Sequence, residues 1–444
     1  MRLSEALQHP TVSEAHQDAD SLRHLEAFQA WLQDAFPFLK EVGELELPDP
    51  ERLVFHLPGT RHDLPPAVFL AHYDVVPPGD TESWTHPPFS GTQADGYIWG
   101  RGAIDDKGSL ICMLEALESL MAGGFAPTRT LVFAFGGDEE QSGMRGAHRT
   151  AEELASRYGE AWCVVDEGSV VVRDMMSIVR KPLALIGTAE KGYVDLELEA
   201  VSHAGHASTP PVPPGTDALA RLSRAVLLVQ TQGFARTLIP TLRHFMKGLG
   251  RHASGPASLL MRVPRLSSPL LLRSFDATPN TSALIRTTVA PTMMHGGETS
   301  NVLPDSARAN LNIRVLPGTT IDAVLTRVTQ LVAPLDVEVR IASSGASDPI
   351  TQASLSHSMY THMSESITRH WPTCGVLPFL VTGTTDSRHY QRLSSNIYRF
   401  VPFLLGPDDL AGVHGLDEKV SLENVQTAVD VYRHMIEAAG RDDS

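Results

Sequence analysis

Three short runs along the chain are apolar at nearly every position and then end in acids or imidazole: AVFLAHYD at 67–74, TLVFAFGGDEE at 130–140 and WCVVDEG at 162–168. A strand that is apolar on every residue is stable only when both of its faces are covered, as in a sheet sandwiched between helices. The segments between the runs supply the helices. GSLICMLEALESLMA at 108–122 predicts one, and a polar helix is expected at 147–157. Strand, helix, strand, helix, strand predicts an α/β fold with a doubly wound sheet, in which ligands gather beyond the carboxyl ends of the strands.

The pattern changes after about residue 188. GYVDLELEAVS alternates with a period of two, which suits a half-exposed sheet. A Pro-rich bend, STPPVPPG, opens a long helical region at 216–275. SALIRTTVAPTMM and SARANLNIRVLPG read as strands, and IDAVLTRVTQLVA as an amphipathic helix before a strand at VEVRIAS. The α/β pattern resumes with a helix near 353–369, the strand VLPFLVTG and a C-terminal helix at 421–438. The expected division is a doubly wound catalytic domain formed by 1–188 and 348–444, interrupted by an α+β domain at 189–347. A chain of 444 residues is long enough for both.

A formal charge of −16 argues against nucleic-acid binding, which needs a basic surface. Cys112, Cys163 and Cys374 show no paired spacing, which fits a reducing compartment. The N-terminus shows no basic segment followed by an apolar one, and no run approaches the ~18 apolar residues of a membrane span. A cytoplasmic enzyme is the expectation.

The acids and imidazoles at the strand ends carry the chemistry. His72 and Asp74 end the first run, Glu139 and Glu140 the second, Asp166 and Glu167 the third. Asp105 and Asp106 lie in the Gly-rich GRGAIDDKG before a helix, and His414 in AGVHGLDEK. Any one of these alone reads as a hydrogen-bonded core histidine or a solvated turn. Together they stack carboxylates on one sheet edge, at a cost of several kcal/mol unless a cation balances them. Oxygen and imidazole donors without thiolate fit zinc in an open site, with manganese or cobalt as substitutes.

The ordered set HYDVVP, WGRGAIDDKG, GGDEE, DEG, GHAST-P, TDSRHY and VHG resembles metallopeptidase family twenty, the co-catalytic dizinc peptidases and aminoacylases. The spelling is most similar to the carboxypeptidase S branch, which includes hydrolases of N-fatty-acyl amino acids. The resemblance runs from LSEALQHPTVS to VHGLDEKVS, nearly the whole chain. It implies two zinc ions per chain: Asp105 bridging them, His72 and Asp166 on one, Glu140 and His414 on the other. It also implies Glu139 as general base, Asp74 as the group that orients His72, and His206 of GHAST-P as an oxyanion donor that can reach across a homodimer interface. His203 is read as structural. The inserted domain becomes a lid and dimerisation domain. Ser169 departs from the branch, which writes DEGG here, and leaves Asp166 in place.

Arg388 in TDSRHY and Arg314 in NIRVLPG are candidates for gripping a substrate carboxylate, since guanidinium forks match that group. Asn301 and the Gly383–Thr384 backbone would assist. The expected substrate is a small molecule, acyl–NH–CHR–COO⁻, with N-acyl-amino-acid hydrolase and carboxypeptidase or dipeptidase as readings of the same bond. A non-catalytic binding protein on this scaffold would have lost a ligand or the base, and none is lost. From Ala218 to Phe275 there is no Asp or Glu, yet there are nine Arg and Lys between apolar groups. This segment either packs on the insert or a partner, or forms a lid that holds an apolar acyl group.

Overall fold

The computed structural model describes residues 2–13, 19–175, 178–343 and 345–442. In chain order, strands β1 (Glu44–Asp49), β2 (Arg52–Leu57) and β3 (Ala67–His72) precede helix α1 (Lys107–Ala122). Strand β4 (Leu131–Gly136), helix α2 (Ala147–Tyr158), and strands β5 (Cys163–Asp166), β6 (Val171–Val172) and β7 (Leu183–Glu190) follow. The inserted region contains β8 (Gly192–Val201), α3 (Ala218–Gln232), α4 (Pro240–His252), α5 (Ala257–Arg262), α6 (Ser268–Phe275), α7 (Pro279–Ile285), β9 (Thr288–His295), β10 (Ser306–Val315), α8 (Ile321–Val332) and β11 (Glu338–Ile341). The chain closes with α9 (Ser358–His370), β12 (Gly375–Val381), β13 (Ile397–Arg399), β14 (Leu404–Leu405), α10 (Pro407–Gly412) and α11 (Leu422–Ala439).

The large sheet runs β1-β2-β4-β3-β5-β13-β7-β6-β14, with β12 also pairing β7. The three apolar runs are its centre: β3 lies parallel between β4 and β5, with His72 opposite Gly136. All three therefore deliver their terminal acids over one edge. Every residue of β3 and β4 is buried. Phe69, Ala71, Phe133 and Phe135 enter the core under α1, α9 and α11, while Val68, Leu70, Val132 and Ala134 enter a second core under α2. Two apolar faces per strand are why the runs do not alternate; each such side chain contributes ~1.5–3 kcal/mol on burial.

The inserted strands form a separate antiparallel sheet, β9-β10-β8-β11. Along β8, Val194, Leu196, Leu198 and Ala200 are buried against α3 and α8, and the residues between them face outward. The sequence expectation fails at two places. Ser282–Ile285 was expected as strand but is the end of α7: Pro279 sits in its first turn, and the Thr278 side chain accepts from Thr281 N. The long helical region at 216–275 is four helices. Of these only α3 packs on the inserted sheet; α4, α6 and α7 bury Phe245, Phe275 and Leu284 beside Leu183 and Leu377 of the large sheet.

Candidate metal centre and substrate cavity

At the common strand edge, His72, Asp105 and Glu140 each offer one ligand atom, and the three lie within 4.8 Å of one another. His72 is 1% exposed. Its Nε2 lies 3.0 Å from Asp105 Oδ1. Asp105 Oδ2 lies 3.0 Å from His414 Nε2, so each oxygen of one carboxylate faces a different imidazole. His414 Nε2 is also 3.2 Å from Glu140 Oε1, a buried oxygen that makes no hydrogen bond. His414 holds a left-handed backbone, φ 57°, unusual for a residue with a Cβ and frequent where function fixes the chain. The convergent imidazole and carboxylate donors, with no thiolate among them, fit a divalent cation.

Asp166 stands apart from that trio. It is 2% exposed, and its oxygens accept from Glu167 N at 2.9 Å and Ser387 N at 2.8 Å. Asp74 is fully buried and links two strand ends. His72 Nδ1 is 3.0 Å from the Asp74 carbonyl and 3.4 Å from its carboxylate. The same carboxylate accepts from Glu139 N and Glu140 N, both at 3.1 Å. It therefore fixes the ring of His72 and the backbone of the Glu139–Glu140 turn together. Burial pushes the Glu139 carboxyl well above its ordinary range; His72 opposes that, and Asp386, Glu140 and Asp74 reinforce it.

A cavity of about 340 Å³ opens on this edge. Asp105, Glu139, Glu140, Glu167 and His414 line it, together with Tyr193, Asn312, Arg314, Gly383, Thr384, Arg388 and Ser142. Arg388 donates to Ser142 O at 2.6 Å. Arg314 donates to Thr384 Oγ1 at 3.2 Å and lies over the Tyr193 ring, 4.8 Å from its centroid. Acids and imidazole thus share one cavity with two guanidinium groups. His206 and Asn301 do not line it. They are exposed beside a two-stranded ribbon, Gly205–His206 with Val302–Leu303, where Ala207 N donates to Asn301 O at 2.9 Å.

A match to the peptidase family M20/M25/M40 spans residues 68–438, from strand β3 to the last turn of α11. The chain belongs to that family. It is 34% identical over 446 residues to the N-fatty-acyl-amino acid synthase/hydrolase PM20D1 of Mus musculus, covering 98% of this chain and 87% of that one. It is also 34% identical to the probable carboxypeptidase S-like 2 of Dictyostelium discoideum, covering 92% and 78%. Its fold matches the M20 family metallo-carboxypeptidase Sso-CP2 of Sulfolobus solfataricus with a TM-score of 0.74 at 17% identity, covering 99% of this chain and 98% of that one. The M20 chain is a hydrolase, on the α/β fold with an additional sheet that its sequence pattern implies. Among the described residues no helix is long and apolar enough to cross a membrane.

Sequence reasoning missed several groups that build this M20 site. Glu418, fully buried, accepts from Gly102 N, Ile104 N and Asp105 N at 2.8–3.1 Å and from Arg101 Nη1 at 2.7 Å, setting the loop that presents Asp105. It follows His414 in the same VHGLDEK motif, which is the signal available for it. Glu167 was read only as a strand-end acid, yet it lines the cavity, and burial, then Asp105 and Asp166, hold its carboxyl well above the ordinary range. Tyr193 and Asn312 occupy a half-exposed sheet that gives no sequence sign of facing a site.

Proposed function

We propose that this M20 chain is a dizinc amidohydrolase that cleaves N-acyl amino acids, acyl–NH–CHR–COO⁻, with manganese or cobalt as working substitutes for zinc. The observation that carries the reading is the cavity itself, which gathers four acids, the His414 imidazole and two guanidinium groups within about 340 Å³. Asp105, with one oxygen toward each imidazole, would serve both ions. His72 and Asp166 would complete the set for one ion, Glu140 and His414 the set for the other. When bound, such ions supply Lewis-acid activation of water and of the scissile carbonyl. Glu139 takes the proton from the attacking water and passes it to the leaving amine; its raised carboxyl suits a group that must carry that proton near neutral pH. Asp74 holds His72 in its tautomer. Arg388 and Arg314 receive the substrate carboxylate.

His206 and Asn301, exposed on the ribbon, act in a homodimer, where His206 of one copy donates to the oxyanion in the other's cavity. Residues 189–347 form the lid and dimerisation domain, and 1–188 with 348–444 the catalytic domain. Three buried unpaired cysteines suit a reducing, cytoplasmic setting.

The relative named as carboxypeptidase S-like gives a second reading, a peptidase acting on the same bond with an aminoacyl in place of an acyl group. A panel of N-acyl amino acids, their carboxamides and dipeptides separates the two. The expected result is turnover of N-acyl amino acids, at least a hundredfold less on the carboxamides, and severe impairment of Arg388→Lys, because an ammonium cannot make the two-pronged contact. Faster turnover of dipeptides makes the chain a peptidase; equal rates on acid and amide remove the arginine role.

A further inference from the structure

A second cavity, of about 430 Å³, lies between the large sheet and helices α4, α6 and α7. Its floor is apolar and buried: Leu183, Val172, Val179, Phe245, Phe275 and Leu284. Its outer rim is polar and exposed, at Asp174, Lys181, Thr278 and Asn280. Interiors of this composition ordinarily pack without voids much larger than a water, so a space of this size in an apolar cluster is suited to an apolar occupant.

Two observations tie this space to the catalytic cavity. Strands β7 and β12 run parallel toward the catalytic edge, and the cavity follows them from Leu183 to Thr382, the residue before Gly383 and Thr384 of the catalytic cavity. On the other side Leu410 of α10, four positions before His414, packs against the same apolar cluster. The apolar space therefore meets the rim of the catalytic cavity at Thr382, and the apolar cluster around it reaches α10, which leads to His414.

We propose that this space is the acyl-chain chamber: the scissile amide sits at the metal centre and a linear saturated acyl tail runs past Thr382 between β7, β12 and α7. The inference rests on the reading of the enzyme as an N-acyl-amino-acid hydrolase and adds where the tail goes. It also gives the acid-free stretch after Ala218 its role, since α4 and α6 form part of the chamber wall while α3 packs on the inserted sheet. Each methylene taken into the chamber raises kcat/KM by roughly fourfold at most, until the space is full.

The test is an acetyl-to-dodecanoyl series on phenylalanine, with the parent enzyme, Ala283→Trp and Thr281→Phe, the last two filling the α7 wall. In the parent, kcat/KM should rise at least a hundredfold from acetyl to dodecanoyl, and each variant should cut that ratio at least tenfold. Variants that keep the parent's ratio, or a parent with a flat profile, overturn the chamber while N-acyl hydrolysis stands. If the parent cleaves no N-acyl amino acid, the functional reading fails, and calorimetry in a Glu139→Ala background decides the chamber. Dodecanoylphenylalanine binding at least tenfold tighter than acetylphenylalanine, with the difference removed by Ala283→Trp, supports it; equal affinities overturn it.

Discussion

In the proposed metal centre, His414 is the imidazole that faces both Asp105 and Glu140, and its proton sets how the centre fills. Asp105 and then Glu140, beside its Nε2, raise its imidazole to about 10. At pH 7 the ion-free ring therefore carries a proton, and a metal ligand must not. Metal binding releases that proton, so affinity rises with pH through the range below about 10, by about tenfold per unit for one linked proton. Competition against a chromophoric chelator between pH 6 and 9 reads this directly. A slope near zero would contradict the pairing of His414 with the two acids, and His414→Ala should lower the slope by about one, leaving the part set by His72, whose imidazole, against its burial, is raised by Asp105 and Asp74.

At the scale of elements, the loop from Arg101 to Asp105 is shaped by one distant carboxylate. The Arg101–Glu418 pair is almost fully buried, and removing one partner of such a pair costs about 3–5 kcal/mol. Glu418→Gln should lower stability on that order in denaturant titrations and weaken metal binding by about 10–100-fold, because an NH2 donor replaces one of the two oxygens that accept from the loop presenting Asp105. Unchanged metal affinity with lowered stability would make Glu418 structural only. This contact also shows what the sequence could and could not disclose. The three central strands were legible because burial on both faces forces apolar residues at every position. Their terminal acids were legible because parallel strands share one edge. Glu418 works on backbone amides more than 300 positions away, and nothing in local spacing records that. The breaks in the helical stretch after Ala218 and the helical turn at Ser282–Ile285 were blurred for a related reason. Their apolar residues satisfy either period, and packing on the large sheet decides between them.

At the scale of the whole molecule, the proposed oxyanion role of His206 requires a second copy of the chain. His206 and Asn301 were legible as a motif, but their distance from the cavity was not, because sequence does not say which copy of a chain a loop serves. Strand β9 is an edge of the inserted sheet and leaves Met293 and Met294 about half exposed, so an apolar edge is open to a second copy. Activity per chain is expected to fall on dilution in parallel with dissociation of a dimer seen by sedimentation. Full activity in a monomer would confine His206 to a structural role.

In the proposed mechanism Glu139 is the proton-transferring base beside metal ions it does not ligate. Metal content and turnover measured together on Glu139→Ala test it most directly. Two zinc-type ions per chain are expected, as in the parent, with kcat on an N-acyl amino acid reduced by about 10²–10⁴. A variant that loses its metal, or that keeps substantial turnover with the metal in place, would contradict it.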